Sequence, residues 1–132
     1  VYPSSMRKIL GKRLPRFTED EKRKLIGSAD FLGLNHYSSA LASKPSEPAT
    51  YAGYWADQRV TLSDNLSWKK TEMGWNVVPD GAREILFWID QRYSHPLIFV
   101  TENGMSAYEP DEEHSIHDSA RVEYLEGYIR GF

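Results

Sequence analysis

The chain contains no cysteine, which excludes disulfide scaffolds, thiolate zinc sites and thiol nucleophiles and assigns no compartment. No apolar run exceeds Ile85 to Ile89, far short of a membrane span. Positive charge is not in excess. Sixteen basic residues face nineteen acidic ones, for a net charge of -3, which argues against a general nucleic-acid binder. No Gly-rich phosphate loop, Walker motif or Gly-x-Ser-x-Gly elbow is present. What is there is globular: 132 residues, 40% hydrophobic and 27% charged, which excludes a disordered tail or fibrous repeat. The length suits one domain or a piece of one.

The ends predict a truncated chain. It opens Val1-Tyr2-Pro3, without an initiator Met or a signal-peptide pattern. Val122, Leu125 and Ile129 recur at helical spacing up to Gly131-Phe132. Either Gly131 caps that helix or the helix continues beyond it.

Between the ends, helical and extended patterns alternate. A short helix is expected around Ser5 to Leu10. Thr18-Glu19-Asp20-Glu21 is a capping box for a second helix that ends at Gly27. Phe31 to Tyr37 reads as a strand buried on both faces. Residues 38 to 78 show no clear periodicity and read as a loop of about forty residues, long enough to expect a function. From Pro79, Ala82, Ile85, Leu86 and Ile89 form one helical stripe. Leu97 to Val100 is a second buried strand, followed by Thr101-Glu102-Asn103-Gly104. A polar loop from Ser106 to Ser115 leads to a last helix from about Asp118. This order predicts an α/β fold, with a parallel sheet and crossover helices. Two strands make no stable parallel sheet alone, so the pattern fits a slice of a larger α/β domain.

Both strands end in polar side chains, at the edge where α/β folds place active groups. Position alone favours reading Glu102 as a surface residue before an Asn-Gly turn. The other reading puts its carboxylate at the mouth of the sheet. Asn35 and Tyr37 end the first strand, and a phenol beside a carboxylate holds it in place and favours its ionised form. Trp55, Trp68 and Trp75 lie in or beside the long loop, and exposed indoles suit the apolar faces of sugar rings. Trp88 is expected to pack onto its domain. His114 and His117 follow Asp111, Glu112 and Glu113, but without a convincing metal scaffold.

Thr101-Glu102-Asn103-Gly104 after an apolar strand resembles the nucleophile signature of glycoside hydrolase family 1, the β-glucosidase family. It does not stand alone. Leu14-Pro15-Arg16-Phe17-Thr18 and the run Gly27 to Tyr37 resemble family segments. So do Met73-Gly74-Trp75, the run Val78 to Arg83, Asp118 and the run Arg121 to Leu125, all in the family's order. The resemblance covers essentially the whole chain and leans towards the β-glucosidase, lactase and klotho-like branch.

The resemblance implies a partial (β/α)8 TIM barrel carrying about the sixth and seventh βα units, so that residues 1–132 are a fragment of a single catalytic barrel domain. Such a barrel needs about 250 residues. The implied chemistry is retaining hydrolysis of a β-glycoside substrate with Glu102 as nucleophile. A second carboxylic acid about 5–5.5 Å away would serve as acid and base. Tyr37 matches the tyrosine that contacts nucleophile and ring oxygen. Asn35 matches the asparagine of the sugar site, and Trp75 an aromatic on the aglycone side. His36 stands where a tyrosine is common and faces away by strand alternation. No metal or organic cofactor is implied. The family's acid/base lies in an Asn-Glu-Pro segment that this chain lacks; Glu47-Pro48 and Glu109-Pro110 are the nearest matches. The fragment alone is therefore expected to be inactive, and to need the missing barrel segments. The alternative is a klotho-like non-catalytic binding module on a degenerate barrel.

Overall fold

Thr18 caps the helix that its sequence announces. Its hydroxyl accepts the Glu21 backbone N–H at 3.3 Å, and Glu21 reaches back to the Thr18 N–H at 2.7 Å. The hydrogen bond from Thr18 holds the Glu21 carboxyl below its ordinary pKa. This closes the N-terminus of α2 (Glu19–Leu25). The helix stops before Gly27, whose φ of +72° carries the turn instead. In the computed structural model, which describes residues 2–51 and 53–132, α1 (Ser4–Leu10) and a 3-10 turn (Gly11–Arg13) precede it.

The described chain divides into two units. One holds residues up to Asp30 together with Ala42–Leu62. It contains α1, α2 and α3 (Tyr54–Gln58). A two-pronged ion pair, Arg13 to Asp57, ties the turn after α1 to α3 at 2.6 and 2.8 Å. The loop reading of residues 38 to 78 needs correcting here. Besides α3, this stretch contains β2 (Leu41–Ser43) and β3 (Thr61–Ser63), which pair with each other. Such short elements leave no periodic trace in a sequence.

The other unit, Phe31–Leu41 with Ser63–Phe132, carries the predicted α/β order. β1 (Leu32–Asn35) and β4 (Ile98–Glu102) lie parallel. The chain between them forms α4 (Pro79–Arg92), with Pro79 at its first turn, where a missing N–H costs nothing. After β4, a single turn α5 (Glu112–Ile116) interrupts the expected polar loop. Then comes α6 (Ser119–Gly131), whose first turn is capped by Asp118 accepting from the Arg121 N–H at 3.0 Å.

The core is small: Ala82 of α4 with Tyr124 and Tyr128 of α6, and Val77 and Met105 packed against them. On α6, Tyr124 and Tyr128 are buried, while Ile129 of the stripe Val122, Leu125, Ile129 is 69% exposed, so the stripe is not the buried face. Hydroxyls with partners allow tyrosine to take the inner face. Nor are the strands buried on both sides. Ile98 and Val100 line a cleft of about 430 Å³ with Leu86, Phe87 and Phe132, while the opposite sheet face leaves Leu97 and Phe99 more than half exposed. Helices cover only one side of this pair. Trp88 is also half exposed rather than packed in, edge-on to Tyr93 at 6.0 Å. Among the described residues no helix is long and apolar enough to cross a membrane.

The helix pair α4–α6 meets closely at glycines. A Cβ on Gly127 would come within 2.9 Å of the Pro79 ring, and one on Gly131 within 2.8 Å of the Pro79 carbonyl oxygen. Helix propensity favours Gly127→Ala by about 0.5–1 kcal/mol. Overpacking against a rigid proline opposes it by about 1–3 kcal/mol. Packing wins, so Gly127→Ala is expected to lower the midpoint of urea or thermal unfolding. A raised midpoint would refute the close approach.

Candidate active site

The site begins with an irregularity between the paired strands. Leu32, Gly33 and Leu34 stand opposite Ile98, Phe99 and Val100, but Asn35 stands opposite Glu102. Thr101 is the extra residue. A bulge of this kind re-aims the side chains beyond it. Along a regular strand, Glu102 would share the helix-covered face with Ile98 and Val100. The slip places it beside Asn35 on the open face, with Gly33 and Phe99. Thr101 leans across the strand: its hydroxyl donates to the Asn35 amide oxygen at 2.6 Å. Its methyl would lie 3.3 Å from a Cβ at position 33, so glycine gives it room. The ladder then closes with the His36 N–H donating to the Glu102 carbonyl at 3.0 Å.

Tyr37 lies on the same face as Asn35, two residues on. Its phenol donates a hydrogen bond to the Glu102 carboxylate. That hydrogen bond is the main cause raising the Tyr37 pKa above its ordinary value, with desolvation and the carboxylate's charge adding to it. Asn35, by contrast, spends its carbonyl oxygen on Thr101 and makes no hydrogen bond to Glu102. Trp75 stands edge-on to the Tyr37 ring, with centroids 5.7 Å apart and planes at 69°. The structure thus brings together the four residues that the resemblance implies for the site: Glu102, Tyr37 and Asn35 at the strand ends, and Trp75 against Tyr37.

Trp75 is held by a tight turn. Gly74 takes φ +80°, the Gly74 N–H donates to the Thr71 carbonyl at 2.9 Å, and the Thr71 N–H donates to the Trp75 carbonyl at 2.8 Å. The buried Asn76 anchors the turn. Its amide donates to the Ser39 carbonyl at 2.9 Å and to Asp64 at 2.8 Å, and its oxygen accepts from Lys70 at 2.9 Å. The Ser106 hydroxyl takes the Met73 N–H at 2.9 Å, tying this turn to the loop after β4. That loop is clasped in turn by Arg121, which pairs with Asp118 and Glu109 and donates to the Met105 carbonyl.

On the other side of the backbone, His36 turns away from the carboxylate, as strand alternation predicts. Its ring lies 5.9 Å from that of Tyr128, and burial lowers its pKa. Asn103, Tyr124 and Tyr128, which hydrogen-bond the His36 and Tyr37 carbonyls, are residues that sequence reasoning passed over. Tyr124 and Tyr128 are four apart on a helix, which puts them on one face. That spacing was the available signal, and the neighbouring aliphatic stripe obscured it. His114 does no work near Glu102. It contacts Asp111 at 2.6 Å and its N–H is capped by the same carboxylate.

The family model for glycosyl hydrolase family 1 matches residues 1–132. The chain belongs to that family. Among curated relatives, human lactase/phlorizin hydrolase is 41% identical over 118 residues, covering 89% of this chain and 6% of that protein. Beta-glucosidase 42 of Arabidopsis thaliana is 41% identical, covering 97% of this chain and 28% of that protein. The β-glucosidase of Trichoderma harzianum superimposes with a TM-score of 0.85 at 39% identity, over 99% of this chain and 29% of that one. A rice β-glucosidase mutant, solved in a covalent complex with Glc, reaches a TM-score of 0.89 at 28% identity, over 98% of this chain and 30% of that one. The chain therefore spans less than a third of these relatives. Its α/β architecture is that of a partial barrel.

The phenol–carboxylate contact carries a titration signature. Tyrosine normally ionises near pH 10. Because the folded-state pKa of Tyr37 is raised, the contact's stabilisation is present below that ordinary value and is lost as pH rises through the folded one. Glu102→Gln removes the charged acceptor. The ionisation of Tyr37, followed by carbon-13 NMR at its phenolic carbon, is then expected to move down towards pH 10. An unchanged ionisation would sever the link between the two residues.

Proposed function

We propose that this chain is part of a retaining β-glycosidase and supplies its nucleophile, Glu102. The observation that carries the reading is the Tyr37 phenol donating to Glu102 on the open face, at the carboxyl ends of two parallel strands. The family membership and the β-glucosidase relatives support it. In this reading residues 1–132 belong to one barrel domain and carry about its sixth and seventh βα units.

The chemistry follows from the pair. The ionised Glu102 attacks the anomeric carbon of a bound β-glycoside, and the bond to the leaving oxygen breaks. A second carboxylic acid protonates that oxygen, then takes a proton from the water that hydrolyses the glycosyl ester. Tyr37 keeps its proton at neutral pH and donates a hydrogen bond to the carboxylate, which fixes the attacking oxygen. Once the ester has formed, Glu102 has lost its charge, and the phenol is free to turn to the sugar ring oxygen. Asn35 lines the sugar site beside it. Trp75, 43% exposed, offers an indole face to the aglycone.

Double displacement needs two carboxylates. Glu109 is engaged with Arg121, and no Asn-Glu-Pro is present. The 132-residue chain alone is accordingly inactive in this reading, and the acid/base comes from the rest of the barrel. The relatives named above are glycosidases, which favours catalysis over a non-catalytic binding module.

Three measurements test this. In the complete parent protein, a 2-deoxy-2-fluoro-β-glucoside should label one peptide, with the sugar on Glu102, and Glu102→Gln should lower kcat on the order of 10⁴-fold. The isolated chain should show no turnover of aryl β-glucosides. Turnover by the isolated chain that disappears in Glu102→Gln, or labelling at another carboxylate, would overturn the reading.

A further inference from the structure

Behind the Tyr37–Glu102 pair, two buried phenols converge on one backbone atom. Tyr124 and Tyr128 stack at 4.3 Å on the inner face of α6. Both donate to the Tyr37 carbonyl oxygen, at 3.0 and 3.2 Å. A carbonyl has two lone pairs, and here both are filled by side chains rather than by a sheet neighbour.

Each phenol also accepts a bond that fixes its direction. Tyr124 takes an amide proton of Asn103 at 3.0 Å, and Tyr128 takes the Val78 N–H at 3.0 Å. A hydroxyl has a single proton to give, and both give it to Tyr37. Asn103 directs its amide nitrogen to the His36 carbonyl as well, at 2.8 Å. The residue after Glu102 and the backbone of Tyr37 are thus joined through α6. This join lies on the side of the backbone opposite the phenol–carboxylate contact.

Packing alone does not call for these hydroxyls. Ala82, Val77 and Met105 form an apolar surround for the two rings. A buried hydroxyl is retained at a desolvation cost that only its hydrogen bonds offset. Those bonds lead to the Tyr37 carbonyl, to Asn103 and to the Val78 N–H before α4.

We infer that Tyr124 and Tyr128 are positioning residues, which hold the Tyr37 phenol against Glu102 through the Tyr37 carbonyl and Asn103. The inference rests on the reading of Glu102 and Tyr37 given above. In this arrangement the last helix sets the aim of a tyrosine it does not touch at the working end. A supporting group that is slightly loose degrades a site more than its own energy suggests.

The test uses the complete parent protein labelled with carbon-13 at the phenolic carbon of tyrosine, with the Tyr37 signal assigned through Tyr37→Phe. A phenol donating to a carboxylate has a deshielded phenolic carbon, so Glu102→Gln defines the uncoupled shift. Tyr124→Phe and Tyr128→Phe, which keep both rings, are each expected to move the Tyr37 signal towards the Glu102→Gln value. The double variant should cover at least half of that difference. Far-ultraviolet circular dichroism checks the fold of each. A Tyr37 signal unmoved in folded single and double variants would overturn the inference. Loss of the fold in either single variant would also overturn it, because the hydroxyls would then be structural.

In the parent enzyme the same substitutions should lower kcat roughly tenfold or more, with KM changed less than twofold. Sugar labelling of Glu102 keeps the two readings apart. Labelling that persists while the Tyr37 signal stays still leaves the nucleophile standing and removes the clamp. A Tyr37 signal that moves without labelling of Glu102 supports the clamp and removes the glycosidase reading.

Discussion

The site depends on one slipped register. Were β1 and β4 paired regularly past Leu34 and Val100, the carboxylate of Glu102 would point towards the helices and Tyr37 would have nothing to hold. The extra residue, Thr101, places Glu102 opposite Asn35 instead. Strands have a side-chain period of two, so a one-residue slip is the smallest change that moves a side chain to the other face. The slip is stabilised locally. Thr101 gives its hydroxyl proton to Asn35 and lies over the hydrogen of Gly33, and the His36 N–H resumes pairing at the Glu102 carbonyl.

Around that slip the unit divides its labour between two faces. The open face carries Phe31, Phe99, Asn35, Glu102 and Tyr37. Phe31 and Phe99 meet edge to face at 5.1 Å. The covered face carries His36, the tyrosine pair of α6 and the start of α4. Among the described residues, the buried side-chain polar atom without a hydrogen-bond partner is the His36 Nδ1. Burial lowers the His36 pKa and so favours its neutral ring, consistent with a structural place beside Tyr128. Trp75 reaches the open face by a separate route, through a turn pinned by Asn76 and Thr71 rather than by the sheet.

Much of the fold was legible in the chain. The capping box of α2, the proline-led start of α4, the Asp118 cap of α6 and the two apolar runs of β1 and β4 are local signals, and local signals survive in a sequence. The short elements between residues 38 and 78 were not legible, because strands of three residues and a one-turn helix show no period. The burial of both strand faces was misjudged for a different reason. An apolar run reports that a strand suits a covered sheet, but not whether a cover is present. The spacing of Val122, Leu125 and Ile129 shows that a helix is present but not which of its faces is covered. A tyrosine whose hydroxyl has two partners is nonetheless well placed inside.

The candidate site divides in the same way. Residue types and their order along the chain determined that a carboxylate follows one apolar strand, that a phenol and an amide end the other, and that an indole follows a turn glycine. They also carried the family, because its segments recur in order. Only the tertiary structure decided which face these groups share. That depends on the register between strands more than sixty residues apart, and register is a property of pairing. It likewise decided that the Tyr37 carbonyl is held by two phenols from the last helix. Hydrogen bonds spanning about ninety residues of chain are set by how helix and sheet pack, and no local pattern records them.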